Sequence, residues 1–160
     1  MAELLRASKF ARHVGAVMLQ GVAVGGFNVV DVHALSEALS VPVLVVMRRP
    51  PDLEAMREAL FVDVPRRRPR VRGAARKWRL IERAGTIEAL VVRGGARGTA
   101  RPTGLREGGP RLWVQRVGLT REAAAALVRA TTLHGHVPEP VRLAHLIAGG
   151  IAAGSSRGRA

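Results

Sequence analysis

The chain has 160 residues, 48% of them hydrophobic, which suits one domain with a real core. It has no cysteine, which excludes a disulfide framework, a thiolate metal site and a cysteine nucleophile. Its 26 Lys and Arg against 12 Asp and Glu leave a net charge of +14, and a polyanion such as nucleic acid is the usual partner of such an excess; a plain solubilising surface field is the alternative.

Further exclusions follow. No apolar run approaches the roughly 20 residues that span a bilayer. Glu3 and Arg6 interrupt the start of the chain, so no signal-peptide core is present there and a cytoplasmic location is expected. Aromatic residues are confined to Phe10, Phe27, Phe61, Trp78 and Trp113. That is too few for a sheet that stacks successive bases, which argues against an oligonucleotide-binding barrel.

Residues Ala2–Val14 read as a helix with Leu4, Leu5, Ala7, Phe10 and Ala11 near one face. His13 reads as a solvated helix-end residue. The stretch Ala16–Met47 then reads as one strand–loop–helix–strand unit of a parallel sheet. Ala16–Gln20 is an apolar run of strand length. Gly21–Asn28 is a glycine-rich turn. Val29, Val32, Leu35 and Leu39 have helical spacing, and Val43–Val46 is continuously apolar, as a strand buried on both faces should be. In such units ligands sit at the strand carboxyl ends, where the glycine-rich turn lies.

Asn28 is a good N-cap, and Asp31 stands three residues on, as in a capping box. Glycines before a helix start offer free N–H groups to a phosphate, so Gly25, Gly26 and Asn28 are candidate phosphate ligands; a tight turn alone explains the glycines equally. The loop matches neither the dinucleotide fingerprint nor the phosphate-loop pattern. Arg48 and Arg49 end the second strand and either face a phosphate or lie at a solvated edge. Pro50-Pro51 breaks the chain, and Asp52–Leu60 reads as a helix with Leu53, Met56 and Leu60 inward.

Pro65–Arg79 is the densest charge run, with Arg66, Arg67 and Arg68 at its head and no acidic residue inside it. It is either a phosphate-contacting arm or an exposed loop feeding a helix at Ala74–Arg83. Thr86–Val92 and Arg111–Val117 read as strands able to pair as an antiparallel hairpin, with Arg93–Gly109 as a long loop between them. Thr120 caps a helix through Ala130 with Ala123, Ala124, Leu127 and Val128 inward. After Pro138 and Pro140, Leu143, Leu146, Ile147, Gly150 and Ile151 form one helical stripe. Arg142 and His145 share a different face, as a structural pair or as part of a phosphate site. Residues 1–154 are expected as a single α/β domain and 155–160, with Arg157, as a basic tail.

Several of these segments also resemble one family. Gly25–Asp31, Pro42–Val46, Pro51-Asp52, Arg142–Ala148 and Ser156–Ala160 resemble uncharacterised protein family 0215, also called endonuclease dU, a homologue of endonuclease V. The resemblance covers essentially the whole chain. It implies a ribonuclease H-like mixed sheet with flanking helices. It also implies a Mg²⁺- or Mn²⁺-dependent endonuclease acting on nucleic acid with deaminated bases, uracil or hypoxanthine, in which metal-bound carboxylates activate water. The alternatives are a nucleic-acid-binding protein without catalysis and a nucleotide binder at Gly25–Asn28.

The chain departs from the family pattern in three places. The pattern begins with a strand bearing Gly-Ile-Asp-Asp-Gly followed by two more strands, and this chain starts at the helix after them. An N-terminally truncated form is therefore expected, with Ala16–Gln20 as an unpaired sheet edge. Gln20 stands where endonuclease V has an aspartate, and Ser155 where the family usually has Glu. Asp31 is then the one acid of the central motif, a candidate catalytic residue or simply a helix cap.

Overall fold

The computed structural model describes residues 1–62, 71–91 and 111–154, except the side chain of Ala153. Its centre is a four-stranded mixed sheet in the order β1-β4-β6-β5. The strands are β1 (Val17–Gln20), β4 (Val43–Met47), β5 (Glu88–Val91) and β6 (Arg111–Val117). β1 runs parallel to β4, in register Val17↔Val43 to Gln20↔Val46. β6 is antiparallel to β4 (Val43↔Val117) and to β5 (Glu88↔Val114). The expected parallel unit and the expected hairpin are both present.

β4 is the axis of the core. Val43, Leu44, Val45 and Val46 are all buried, as a strand covered on both faces requires. Side chains alternate across a strand, so this run feeds two clusters. Val43 and Val45 pack with Leu19, Val32, Leu35, Leu60 and Ile81. That places α2 (Val32–Leu39), α3 (Leu53–Phe61) and α4 (Ala74–Arg83) on one face. Leu44 and Val46 pack with Leu90, Leu112, Val114, Ala124, Val128 and Val141. That places α5 (Arg121–Thr131) and α6 (Glu139–Ala153) on the other. The result is the mixed sheet with flanking helices that the sequence implies.

The amino-terminal helix is shorter than the reading Ala2–Val14. α1 ends at Arg6, and a single 3₁₀ turn follows at Ala11–His13. The Ser8 hydroxyl accepts the Phe10 N–H at 3.1 Å, an alternative to helix continuation. Leu4 and Phe10 are exposed, so the apolar face drawn there does not form. The Arg6 guanidinium donates to the Ala38 carbonyl and pins α1 to the end of α2.

The glycine-rich turn is a small hairpin of its own. β2 (Ala23–Val24) and β3 (Asn28–Val29) pair antiparallel, with Gly25, Gly26 and Phe27 at the tip. Gly25 and Gly26 have φ of 55° and 80°, values that glycine adopts without strain. Asn28 therefore does not cap α2. Its Nδ2 donates back to the Gly25 carbonyl at 3.1 Å, and Asp31 is the cap, accepting the Ala34 N–H at 3.0 Å. Strand pairing took Asn28 and left the next capable side chain to start the helix. Thr120 caps α5 as read, its Oγ1 accepting the Ala123 N–H at 3.1 Å, and Asp52, read inside the first turn of its helix, is the cap of α3, its Oδ1 accepting the Ala55 N–H at 2.9 Å.

Three inward assignments change. Leu53 is half in solvent beside the first turn of α3, and Ala123 faces out while Ala125 packs instead. In α6 the covered line is Arg142, Leu146 and Gly150, and Leu143, Ile147 and Ile151 are 47%, 62% and 81% exposed. Near the start of this line Glu139 binds the Arg142 guanidinium at 2.6 Å. Among the described residues, no helix is long and apolar enough to cross a membrane.

Candidate functional site

The parallel strands β1 and β4 end side by side, and the chain leaves both through loops. A cavity of about 220 Å³ opens there. Gly21, Val22 and Ala23 line it after β1, and Met47, Arg49 and Pro51 after β4. Leu53 and Met56 of α3, Ile81 of α4, Ile87 and Gln115 complete the wall. Carboxyl ends of parallel strands are where α/β sheets bind ligands. The volume lies below that of a site for a drug-sized molecule and suits one flat ring system.

The wall is apolar with two polar exceptions, Arg49 and Gln115. Gln115 sits in the middle of β6, opposite Val45, and is only 5% exposed. A buried amide must be satisfied. Its Nε2 donates to the Gly85 carbonyl at 2.7 Å, which fixes the orientation of the amide. Among the described residues Oε1 has no hydrogen-bond partner, and Gln115 lines the cavity. The sequence reading did not single out Gln115. Its signal is a polar residue on the core-facing side of an otherwise alternating strand, between Trp113 and Val117.

Arg48 and Arg49 are exposed just beyond β4, and Arg49 lines this cavity. Nearby, the Arg57 guanidinium stacks over the Trp78 ring at 6.0 Å, joining α3 to α4. Gly25, Gly26 and Asn28 lie at the hairpin tip, away from the start of α2, so they present no helix terminus to a phosphate. Arg66, Arg67, Arg68 and Arg157 lie outside the described residues, as does the head of the Pro65–Arg79 run.

Asp31 is committed. Oδ1 accepts the Ala34 N–H, and Oδ2 is 3.6 Å from Arg83 Nη1. The neighbouring His33 Nε2 meets the Arg83 carbonyl at 2.9 Å. These contacts tie the start of α2 to the end of α4. Among the described residues no three His, Cys, Asp or Glu side chains gather as a metal site. The end of β1 carries the neutral amide Gln20. A Mg²⁺ or Mn²⁺ ion needs carboxylate oxygens free to bind it, and the described residues do not fit that requirement.

Of the remaining basic candidates, Arg142 is paired. The Arg142 guanidinium donates Nε and Nη2 to Glu139 Oε2 at 2.8 and 2.6 Å. This pairing holds the Glu139 carboxyl below its ordinary range and raises Arg142. His145 stands exposed on the same helix. Glu88 bridges Arg116 at 2.8 Å and Arg121 at 2.7 Å, and the Arg116 hydrogen bond, then that of Arg121, lowers its pKa.

The family model described as endonuclease dU matches residues 1–152. A UPF0215 protein of Deinococcus radiodurans is 44% identical over 149 residues, which cover 93% of this chain and 63% of that protein. A UPF0215 protein of Methanosarcina acetivorans is 38% identical over 162 aligned residues, covering 100% of this chain and 71% of that one. The chain thus spans just under two thirds of the Deinococcus relative. Among solved structures, a protein of unknown function from Archaeoglobus fulgidus superposes with a TM-score of 0.73 at 31% identity, over 94% of this chain and 71% of that chain.

Proposed function

Because the chain belongs to the endonuclease dU family, we propose that it engages nucleic acid carrying a deaminated base, uracil or hypoxanthine. The cavity at the ends of β1 and β4 carries this reading. It is largely apolar, sized for one ring system, contains a buried amide and is lined by Arg49, with Arg48 exposed beside it in the chain. A base swung out of the stack would enter the apolar wall, and a mismatched or single-stranded base does so most cheaply. Arg48 and Arg49 would meet the flanking phosphates, and their charge makes that contact salt-dependent.

Hydrolysis in this family would draw on a divalent ion to activate water. The carboxylate of Asp31 is held by a helix N–H and by Arg83, so the described residues serve binding and positioning. This favours the second reading, a nucleic-acid-binding protein without hydrolysis. One experiment tests both. Labelled single strands free of thymine, with one uracil, one hypoxanthine or neither, are titrated with the protein at two salt concentrations, then incubated with Mg²⁺ or Mn²⁺ and run on a denaturing gel. Tighter binding to the deaminated strands supports the proposal. Nicking beside the base assigns hydrolysis, and intact strands assign the binding role. Equal affinity for all three strands rejects the proposal.

A further inference from the structure

We propose that Gln115 reads the edge of the base in this cavity, selecting deaminated bases over their parents; the inference rests on the function proposed above. The Gln115 amide is held in one orientation, because its Nε2 donates to the Gly85 carbonyl at 2.7 Å. That leaves Oε1, an acceptor without a partner among the described residues, to meet a base in the cavity that Gln115 lines. Deamination changes the ring atom that would meet it. Cytosine N3 and adenine N1 are lone-pair acceptors, whereas uracil N3 and hypoxanthine N1 carry a hydrogen. A fixed acceptor pairs with the two products and opposes the two parents. Burial sharpens the choice, since an unpaired polar group in a dry wall costs more than one in water. Met47, Ile81 and Ile87 supply that dry wall.

The assignment separates two jobs in the cleft. Arg48 and Arg49 act on any strand, because phosphates are the same beside every base. Gln115 acts on the base alone. It predicts no discrimination between uracil and thymine, which share the N3–H.

The test uses the full chain and four single strands that differ at one position: deoxyuridine, deoxycytidine, thymidine and 3-deaza-2′-deoxyuridine, in which C–H replaces the ring N–H. Binding is read by fluorescence anisotropy. The wild-type chain should bind the deoxyuridine strand about five- to tenfold more tightly than the deaza strand, the effect of one hydrogen bond. Gln115→Met, which keeps the side-chain volume, should bind the two equally. A thermal melt establishes that the variant is folded, and if it is not, the deaza comparison on the wild type decides alone. Equal wild-type binding of deoxyuridine and deaza strands, with deoxycytidine still disfavoured, overturns the role of Gln115 and leaves the proposed function standing. Equal binding of deoxyuridine and deoxycytidine strands removes both.

Discussion

The two faces of the sheet share one strand, β4, and use their polar groups in opposite ways. On the face of α5 and α6, the polar groups at the margin are closed into ion pairs. Glu88 holds Arg116 and Arg121, and Glu139 holds Arg142. On the face of α2, α3 and α4, the polar groups around the cavity keep spare capacity. Among the described residues Gln115 Oε1 has no hydrogen-bond partner, and Arg48 and Arg49 stand in solvent. Charge neutralised inside the molecule builds scaffold, and charge left open is available for a ligand. The 26 basic residues of the chain are therefore a poor guide taken as a whole, because some of them are already paired internally.

The largest effect should come from emptying the closed face. Leu44→Ala removes a fully buried side chain and should cost about 2–5 kcal/mol, read as a lower urea midpoint. Cavity binding should change little at temperatures where the variant is folded. A proportionate loss of base discrimination would mean that the two faces are not independent.

Asp31→Ala comes next. It deletes a cap and the Arg83 contact and should cost about 1 kcal/mol. If capping is its whole role, any Mg²⁺ dependence of the protein should match that of wild type. A selective loss of metal response would return Asp31 to the list of catalytic residues.

Glu88→Gln should cost less than about 1 kcal/mol near neutral pH, the scale of a partly exposed ion pair. Its signature is in pH. The folded carboxyl titrates below its ordinary value of 4.5. Its stabilisation is therefore complete above that value and is lost as pH falls through the lower folded value. The variant should lack this part of the acid-side decline in chemical denaturation curves.

The smallest effect on stability should be that of Arg48→Ala with Arg49→Ala, within about 0.5 kcal/mol, because both side chains are exposed. On binding the same pair should act strongly. The slope of log affinity against log salt on single strands should fall by about 1.4 if each arginine neutralises one phosphate. An unchanged slope would remove these residues from the interface.

The scaffold was legible wherever its cause is local. The β4 run announces burial on both faces by composition alone, and α4 begins and ends at the residues read for it, Ala74 and Arg83. Asp52 and Thr120 cap the helices that follow them because capping needs only three residues of context. What escaped depends on distant partners. Gln115 becomes a wall of the cavity through Gly85, thirty residues away in the chain. In α6 the spacing marks an apolar stripe but not which neighbour covers it, and Leu143, Ile147 and Ile151 stand exposed. Asn28 and Asp31 were both able to start α2, and the pairing of β2 with β3 decided between them.

The outer position of β1 in the described sheet has a kinetic consequence. Val17 N–H donates to the Pro42 carbonyl at 2.9 Å, toward β4. Successive N–H groups of a strand point to opposite sides, so Leu19 also donates inward while Met18 and Gln20 donate outward. Amide hydrogen exchange along these four residues should therefore run in two beats, slow at Val17 and Leu19 and fast at Met18 and Gln20. Any strand that joins this border would slow the second beat and leave the first unchanged.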